Sequence, residues 1–244
     1  MLEATNLKVR YRNGALGVLD ITARVAPGQV VALFGPNGAG KTTAVRAVTG
    51  FLGTEGARVI AGKVTLDGRD ITNVEPSRIC RMGVSLVPER QKIFPAMSVR
   101  ENLNALGRRP ARSHRKQVQE RVFALFPMLA ERLGEPAGQL SGGQQQMLAI
   151  ARTLMTEPRV LIVDEMTQGL HHSMQPVLFD AIRDIAASGT SVVLVDESTG
   201  FALQVADYCY LIGGGAVRDH GPAARFEDNA LLTTGYVAGE ELDG

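Results

Sequence analysis

The chain has 244 residues, 45% of them hydrophobic, so it can form one large domain or two small ones with a proper core. A formal net charge of +1 gives no global reason to expect nucleic acid or an acidic surface as a partner. No apolar run approaches the roughly 18 residues of a membrane span, and the N-terminus MLEATNLKVR lacks the features of a signal peptide. We therefore expect a soluble protein whose two cysteines are thiols in a reducing compartment.

The first predicted elements are three short β-rich segments within residues 7–34, namely LKVRY, VLDITARV and VVALF. The glycine-rich stretch GPNGAGKTTAVRAVTG then becomes helical. KVTLDGRDI is predicted as a strand followed by an Asp-Gly turn, and GVSLVPE as a strand that ends at a proline.

Residues 98–155 have a mainly helical pattern with polar breaks at 108–113 and 134–141, and we expect them to form a separate lobe. RVLIVDE and TSVVLVDES are apolar strands of a sheet buried on both faces. Between them, SMQPVLFDAIRDIAASG is an amphipathic helix that ends at Gly189. FALQVAD is a short helix, and YCYLIGGGAV is a hairpin with 213–215 at its tip. The alternation predicts an α/β fold with a mostly parallel sheet.

The segment GPNGAGKT, residues 35–42, fits G-x-x-x-x-G-K-[ST] between a predicted strand and a predicted helix. Its glycines let consecutive backbone N–H groups point at one anion, and the strand–helix setting disfavours a chance glycine-rich turn. Lys41 supplies a point charge to the β- and γ-phosphates and is a catalytic candidate, while the Thr42 hydroxyl suits Mg²⁺. The predicted nucleotide-binding residues here are Gly35, Pro36, Asn37, Gly38, Ala39, Gly40, Lys41, Thr42 and Thr43.

Two carboxylates, Asp164 and Glu165, end the strand VLIVDE. Acidic residues end many strands as ordinary helix caps, but the upstream phosphate loop favours a catalytic interpretation. Asp164 is then expected to hold Mg²⁺ through water beside Thr42. Glu165 is the candidate base, or water-orienting group, for attack on the γ-phosphate. The absence of any N-K-x-D sequence disfavours GTP.

A second anion site is indicated by LSGGQQQ, residues 140–146, where a serine and two glycines open a predicted helix. A plain serine-capped helix is the alternative. The order of phosphate loop, LSGGQQQ and LIVDE resembles the ATP-binding cassette ATPases over essentially the whole chain. This resemblance implies a P-loop NTPase (RecA-like) α/β core with an antiparallel β subdomain and a helical signature subdomain. It implies one cassette domain over 1–244, with about 1–95 and 156–244 as core and β subdomain, and about 96–155 as helical subdomain.

In that family two cassettes pack head to tail, so Ser141 and Gly143 of one chain would contact the γ-phosphate held by Lys41 of the other. ATP would close such a pair because it binds the closed state more tightly, and hydrolysis would release it. The residues implied to bind the neighbour's nucleotide are Ser141, Gly142, Gly143 and Gln144.

Two more positions carry implied roles. Tyr11 matches the aromatic residue that stacks on adenine, although by itself it is typical of strand packing. Glu89 in LVPERQKIFP lies where most cassettes have a glutamine that senses Mg²⁺ and water and touches the membrane partner, so it is a catalytic and metal-binding candidate. VPE, IFP and SVRENL, together with the signature helix, most resemble the second ATPase subunit of branched-chain amino acid importers. Subunits for urea and short amides look alike here.

The sequence also departs from the family pattern. Met166 replaces a proline, and the loop TQGLHH carries His171 and His172, which are more typical of a polar loop than of metal ligands. Glu197 lies where many cassettes have a histidine, and this subfamily a glutamine, near the γ-phosphate. A carboxylate there repels phosphate unless it is protonated or turned away. We therefore expect Glu197 to affect catalysis by slowing turnover, unless a differently equipped partner cassette compensates, and Glu197→His to raise the ATPase rate of the assembled complex.

The favoured function is the energy-coupling subunit of an importer, with ATP and Mg²⁺ as ligands. The implied partners are a second cassette of the same or another kind, permease subunits docked near 89–95, and indirectly an external solute-binding protein. The implied location is peripheral, at the cytoplasmic face of the inner membrane. The alternative is an ATPase of another transport system, such as a urea or amide importer or an exporter.

Other classes fit less well. A nucleic-acid cassette is disfavoured because the interval from Lys41 to Ser141 holds no sustained heptads. A P-loop small-molecule kinase would not explain LSGGQQQ. The basic run RRPARSHRK, residues 108–116, is more typical of a solvated face than of a lipid contact.

Overall fold

The computed structural model describes residues 1–90, 92–105, 111, 113–165, 174–197, 200 and 202–226. The strands are β1 (Leu2–Tyr11), β2 (Leu16–Val25), β3 (Val30–Phe34), β4 (Ala57–Leu66), β5 (Arg69–Asp70), β6 (Val84–Val87), β7 (Val160–Asp164), β8 (Ser191–Asp196), β9 (Tyr208–Gly213) and β10 (Ala216–Pro222). The α-helices are α1 (Lys41–Thr49), α2 (Pro76–Arg81), α3 (Val99–Asn104), α4 (Arg115–Leu125), α5 (Pro127–Glu131), α6 (Gly142–Leu154), α7 (Gln175–Ala187) and α8 (Ala202–Val205). Across these ranges, no helix combines the length and apolarity that crossing a membrane requires.

The described strands form one sheet in the order β5-β4-β1-β2-β10-β9-β3-β8-β7-β6. Strands β9, β3, β8, β7 and β6 are parallel to their neighbours within this group. The other end, β5, β4, β1 and β2, is antiparallel, and β10 forms a hairpin with β9. The α/β prediction is therefore confirmed, with a parallel core and an antiparallel N-terminal part in the same sheet.

The parallel strands are buried on both faces because helices cover both faces. In β3, Val31 and Leu33 pack with the antiparallel strands, α1 and α2. Val30 faces the other way, into the cluster that contains α4, α6 and α7. Ala32 and Phe34 join α8 and Phe226 on that second face. A strand with helices on both sides needs apolar residues throughout, which explains the uninterrupted sequence VVALF.

One seam joins the two parts of the sheet in the described chain. Ala216 of β10 lies opposite Asp20 of β2 in a single parallel pairing. The carbonyl of Gly215 accepts hydrogen bonds from the N–H groups of Leu19, at 2.7 Å, and Asp20, at 3.2 Å. The N–H of Gly215 donates to the carbonyl of Ala39 at 2.9 Å. The seam therefore touches the phosphate loop.

Some elements differ from the sequence predictions. Helix α2 was not predicted, because it has six residues and buries Ile79 alone, too little for a periodic signal. The hairpin tip is narrower than expected, since Gly213 ends β9 and the turn itself is Gly214–Gly215. The polar break at 134–141 contains a short 3-10 turn, Ala137–Gln139. The other predicted break, 108–113, falls mostly outside the described residues.

Candidate functional site

The phosphate loop connects the carboxyl end of β3 to the amino end of α1, as its motif predicts. Gly35 has a φ of +152°, and a Cβ there would lie 2.0 Å from the backbone oxygen of Ile212. Gly40, with a φ of +101°, would bring a Cβ to 2.7 Å from the backbone oxygen of Gly17. Only glycine fits either position. The loop backbone is thereby packed against β9 and β2, and it leads directly into the N-terminus of α1, where anions are favoured.

Lys41 begins α1 and is buried, with 6% of its surface exposed. Its Nζ donates hydrogen bonds to the carbonyls of Gly35, at 2.6 Å, and Pro36, at 3.0 Å. Burial lowers the pKa of Lys41, while nearby carboxylates, with Glu197 and Glu165 foremost, act to raise it. The ammonium group is thus fixed inside the loop, where it can neutralise a bound phosphate.

Asp164 ends β7 beside the loop and is also 6% exposed. Burial raises the pKa of this carboxyl to about 6, and the charges of Glu165 and Glu89 add to the shift. Within the described residues its carboxylate has no hydrogen-bond donor and no ion-pair partner. A buried acid of this kind is suited to a cation that would neutralise it.

Glu165 follows Asp164 in a left-handed backbone conformation, with a φ of +50°. Its N–H donates to the carbonyl of Val195 in β8 at 2.8 Å. The side chain is half-buried, and burial, followed by the charges of Glu89 and Asp196, raises its pKa. A carboxylate with a raised pKa at the rim of the loop is chemically suited to accept a proton.

Glu89 lies just beyond β6, and its carboxylate accepts a charge-assisted hydrogen bond from Nε of Arg90 at 2.9 Å. Its charge helps to raise the pKa of both Asp164 and Glu165, so Glu89 lies near both carboxyl groups. In the described chain, no group of three or more His, Cys, Asp or Glu side chains is arranged to hold a metal ion. The three predicted metal-binding residues, Thr42, Asp164 and Glu89, remain a prediction.

Tyr11 ends β1 next to the first turn of α1. Its hydroxyl group shares a hydrogen bond with Oγ1 of Thr43, at 2.9 Å. Gly17 leaves room for the ring, because a Cβ at that position would lie 2.6 Å from Cε2 of Tyr11. The ring is thus anchored beside the phosphate loop, with part of its surface exposed.

Ser141 is the N-cap of α6 and forms a reciprocal capping box. Its Oγ accepts from the N–H of Gln144 at 3.4 Å, and the Oε1 of Gln144 accepts from the N–H of Ser141 at 3.0 Å. Ser141 and Gly142 are exposed, while Gly143 is buried. The first turn of the helix therefore presents a small, polar surface to solvent.

A cavity of about 370 Å³ is lined by some of the predicted nucleotide-binding and catalytic residues. Its lining includes Gly17, loop residues 37–43, Glu165 and the hairpin turn Gly214–Gly215. As far as the described residues define it, the lining does not include Ser141–Gln144. The structure thus brings the loop and Glu165 together and leaves the signature turn outside this cavity.

Three contacts at the site were not predicted from the sequence. The amide of Asn37 donates to Oε1 of Glu197 at 2.8 Å. The ammonium group of Lys92 donates to Oε1 of Gln146, whose buried Nε2 has no partner among the described residues. Asn102 is fully buried, and its side chain bonds backbone groups of residues 94–98. The first two contacts join residues 160 and 54 positions apart in the sequence, so a local motif could not reveal them.

Several predicted residues lie outside the described chain. Met166 and the loop 167–172, with His171 and His172, are among them, as is most of the basic run before Arg115. Arg115 and Lys116 begin α4, and Nζ of Lys116 lies 3.8 Å from a carboxylate oxygen of Glu120. These two exposed residues fit the expectation of a solvated helix face.

Comparison with known proteins adds independent findings. The family model described as ABC transporter matches residues 18–168. The high-affinity branched-chain amino acid transport ATP-binding protein BraG of Pseudomonas aeruginosa is 34% identical over 221 residues, covering 90% of this chain and 92% of that protein. The probable branched-chain amino acid transport ATP-binding protein LivF of Archaeoglobus fulgidus is 30% identical over 224 residues, covering 91% of this chain and 92% of that protein.

Among solved structures, the ADP conformation of MJ1267, an ATP-binding cassette of an ABC transporter, has the same fold. The TM-score is 0.84 at 24% sequence identity, and the match covers 98% of this chain and 97% of that one. The likeness therefore extends through nearly all of both chains.

Proposed function

This chain belongs to the ABC transporter family of ATP-hydrolysing, ATP-binding subunits, and from this premise we propose that it powers the import of branched-chain amino acids through partner permeases. The support for this substrate class is that the relatives BraG and LivF, similar over about nine-tenths of the chain, are named for it. The cassette itself contributes ATP hydrolysis, so substitutions at its phosphate loop and at Glu165 test the proposal.

The observation that carries the ATPase part of the proposal is that three strands end at the same edge of the sheet. The carboxyl ends of β3, β7 and β8 are neighbours in the parallel sheet, and they deliver Lys41, the pair Asp164–Glu165, and Glu197 to one edge. Ligands of open α/β sheets bind at this edge. A buried cation inside a glycine-rich loop, facing carboxylates of raised pKa, is suited to hold and cleave a triphosphate.

In this proposal, residues 35–43 hold the phosphates of ATP and Lys41 balances the charge that develops during cleavage. Glu165 accepts the proton of the water that attacks the γ-phosphate. Its pKa, raised first by burial and then by the charges of Glu89 and Asp196, makes it a better proton acceptor than an exposed glutamate. Tyr11, anchored through Thr43, supports the adenine base.

We also propose that Thr42, Asp164 and Glu89 hold Mg²⁺, with phosphate oxygens and water completing its ligands. When bound, the cation neutralises phosphate charge. The strongest support is the buried carboxyl of Asp164, whose pKa stays raised to about 6 although the charges of Arg46 and Lys41 act to lower it.

The active assembly is proposed to contain two cassettes, with Ser141–Gln144 of each completing the other's site. This arrangement would explain why the signature turn is exposed yet absent from the lining of its own chain's cavity. The permeases would dock near 89–95, and the helical subdomain would span about 96–155 within a single domain. The chain would act at the cytoplasmic face of the inner membrane, peripherally, and would be served indirectly by an external solute-binding protein.

Lys41→Ala tests the ATPase role. We expect it to reduce both Mg-ATP binding and hydrolysis by at least about a hundredfold, because it removes the buried cation that faces the phosphates. The assay is ATP hydrolysis and uptake of labelled leucine by proteoliposomes containing the chain, its permeases and its solute-binding protein.

Lys63→Ala, which removes an exposed lysine of β4, is the matched control and should leave both rates unchanged. If labelled urea enters the vesicles and leucine does not, the substrate class is wrong while the ATPase role stands. If Lys41→Ala hydrolyses ATP like the unmodified chain, the proposed site is wrong.

A further inference from the structure

Glu197 lies beside the phosphate loop because of the register between two neighbouring strands. Phe34 of β3 pairs with Asp196 of β8, so Gly35 and Glu197 leave the sheet side by side. The amide of Asn37 in the loop then donates a hydrogen bond to Oε1 of Glu197 at 2.8 Å. A carboxylate is thereby held directly at an anion-binding loop.

Glu197 also acts electrostatically on Lys41 and Glu165, the two groups between which the proposed function puts the terminal phosphate. Of the four carboxylates that act on Lys41, Glu197 exerts the largest electrostatic effect. Its charge acts on Glu165 as well. ADP and ATP place the same two phosphates on the loop, but ATP alone extends a third toward Glu165. The carboxylate of Glu197 therefore opposes the triphosphate more than the diphosphate.

We infer that Glu197 is a specificity-determining residue that lowers the affinity of the single chain for ATP relative to ADP. The inference rests on the proposed function, because it takes the nucleotide to lie between Lys41 and Glu165. To admit the third phosphate, Glu197 must turn outward and release Asn37, whereas ADP leaves this contact intact. Tight ATP binding then requires additional positive charge near the third phosphate, such as the partial positive charge at the N-terminus of a second chain's α6.

The test compares nucleotide affinities of the full chain as a monomer, confirmed by light scattering. ADP and the analogue of ATP with a nitrogen bridge between the β- and γ-phosphates are titrated in the presence of Mg²⁺. Glu197→Gln keeps the shape of the side chain and its acceptor oxygen for Asn37. It should tighten binding of the ATP analogue about five- to tenfold and change ADP binding less than about twofold.

Asn37→Ala is the second variant, because it removes the hydrogen bond that holds Oε1 of Glu197 at the loop without removing the charge of Glu197. Asn37→Ala should tighten binding of the ATP analogue by at least about twofold. If Glu197→Gln lowers the midpoint of thermal unfolding, so that its affinities reflect a damaged fold, the Asn37→Ala affinities test the inference instead. Glu131→Gln, on the exposed side of α5, is the control and should change neither affinity.

The outcomes separate the two claims. If Glu197→Gln leaves the ratio of the two affinities unchanged, or tightens both nucleotides equally, the inference is wrong. If the unmodified chain binds both nucleotides and Lys41→Ala loses both, the proposed function survives that result. If the unmodified chain binds neither nucleotide, both the function and the inference are overturned.

Discussion

At the scale of single residues, Asp164 shows how burial prepares the site for a cation. Its carboxyl ends a strand whose residues are all buried, and Glu165 and Glu89 add negative charge nearby. In the nucleotide-free chain an ionised Asp164 therefore costs folding free energy. A side chain that lowers the stability of the fold, as Asp164 does, is expected at a position where function determines the residue type and packing does not.

Asp164→Asn should stabilise the nucleotide-free chain in the presence of a chelator. Because the folded-state pKa is raised from 3.8 to about 6, the favourable contribution of the protonated acid is present below pH 3.8 and is lost as pH rises through about 6. The free energy of unfolding should thus be higher in the variant by about 1–3 kcal/mol near pH 8, and by about 0.5 kcal/mol near pH 4.

Urea denaturation across this pH range measures the effect. Asp180→Asn, an exposed carboxylate of α7, should show no comparable trend. A gain for Asp164→Asn that is equally large near pH 4 and pH 8 would contradict the electrostatic explanation.

The motif residues could be predicted from the sequence because a loop that binds phosphate needs local features. Gly35, Gly40 and Lys41 lie within one short stretch of the chain, so their spacing can be recognised without knowledge of the fold. The Asn37–Glu197 contact could not be predicted, because it depends on which strands are neighbours and in which register. The left-handed backbone of Glu165 has no signal in the sequence either.

At the scale of elements, the buried side chain of Asn102 helps to hold residues 94–98, which precede α3. The amide of Asn102 donates to the carbonyls of Phe94, at 2.9 Å, Ser98, at 3.0 Å, and Met97, at 3.3 Å. Its Oδ1 accepts from the N–H of Phe94 at 2.8 Å. Backbone bonds from Ala137 to Met97 and from Gly138 to Pro95 tie the same segment to the residues before α6.

Asn102→Ala should therefore lower the free energy of unfolding by about 2–4 kcal/mol, because it removes a fully buried amide that makes four hydrogen bonds to the backbone and leaves the N–H of Phe94 without its acceptor. Chemical denaturation measures this loss. Asn104→Ala, two residues further on and exposed, should cost less than about 1 kcal/mol. Equal losses in the two variants would show that the buried amide does not organise the segment.

The element predictions succeeded where one physical signal dominated. The continuous apolar runs identify β3, β7 and β8, because a strand covered on both faces has no polar side. Helix α2 was missed because its one buried residue, Ile79, gives no period. The antiparallel part was expected from family resemblance; its strand order, with β1 between β4 and β2, is set by tertiary pairing.

At the scale of the whole molecule, the proposed two-cassette assembly depends on ATP remaining uncleaved. Glu165→Gln should bind Mg-ATP and accumulate as a dimer, because it removes the proton acceptor while keeping the phosphate loop intact. Size-exclusion chromatography with light scattering, with and without Mg-ATP, measures the change in mass.

Adding Ser141→Arg to Glu165→Gln should keep the protein monomeric in Mg-ATP, because a bulky side chain would block the exposed helix start. Lys63→Ala in the same background should still dimerise. An ATP-loaded Glu165→Gln chain that stays monomeric at every concentration tested would count against the shared site.

The single pairing of Ala216 with Asp20 gives the molecule a mechanical property. Because Gly215 bonds both the edge of β2 and the carbonyl of Ala39, a displacement of β2 relative to the parallel strands would be transmitted to the phosphate loop. The linkage works in both directions. A ligand that fixed the phosphate loop would in turn restrain this edge of β2, which also shares a hydrophobic core with β3 and β8.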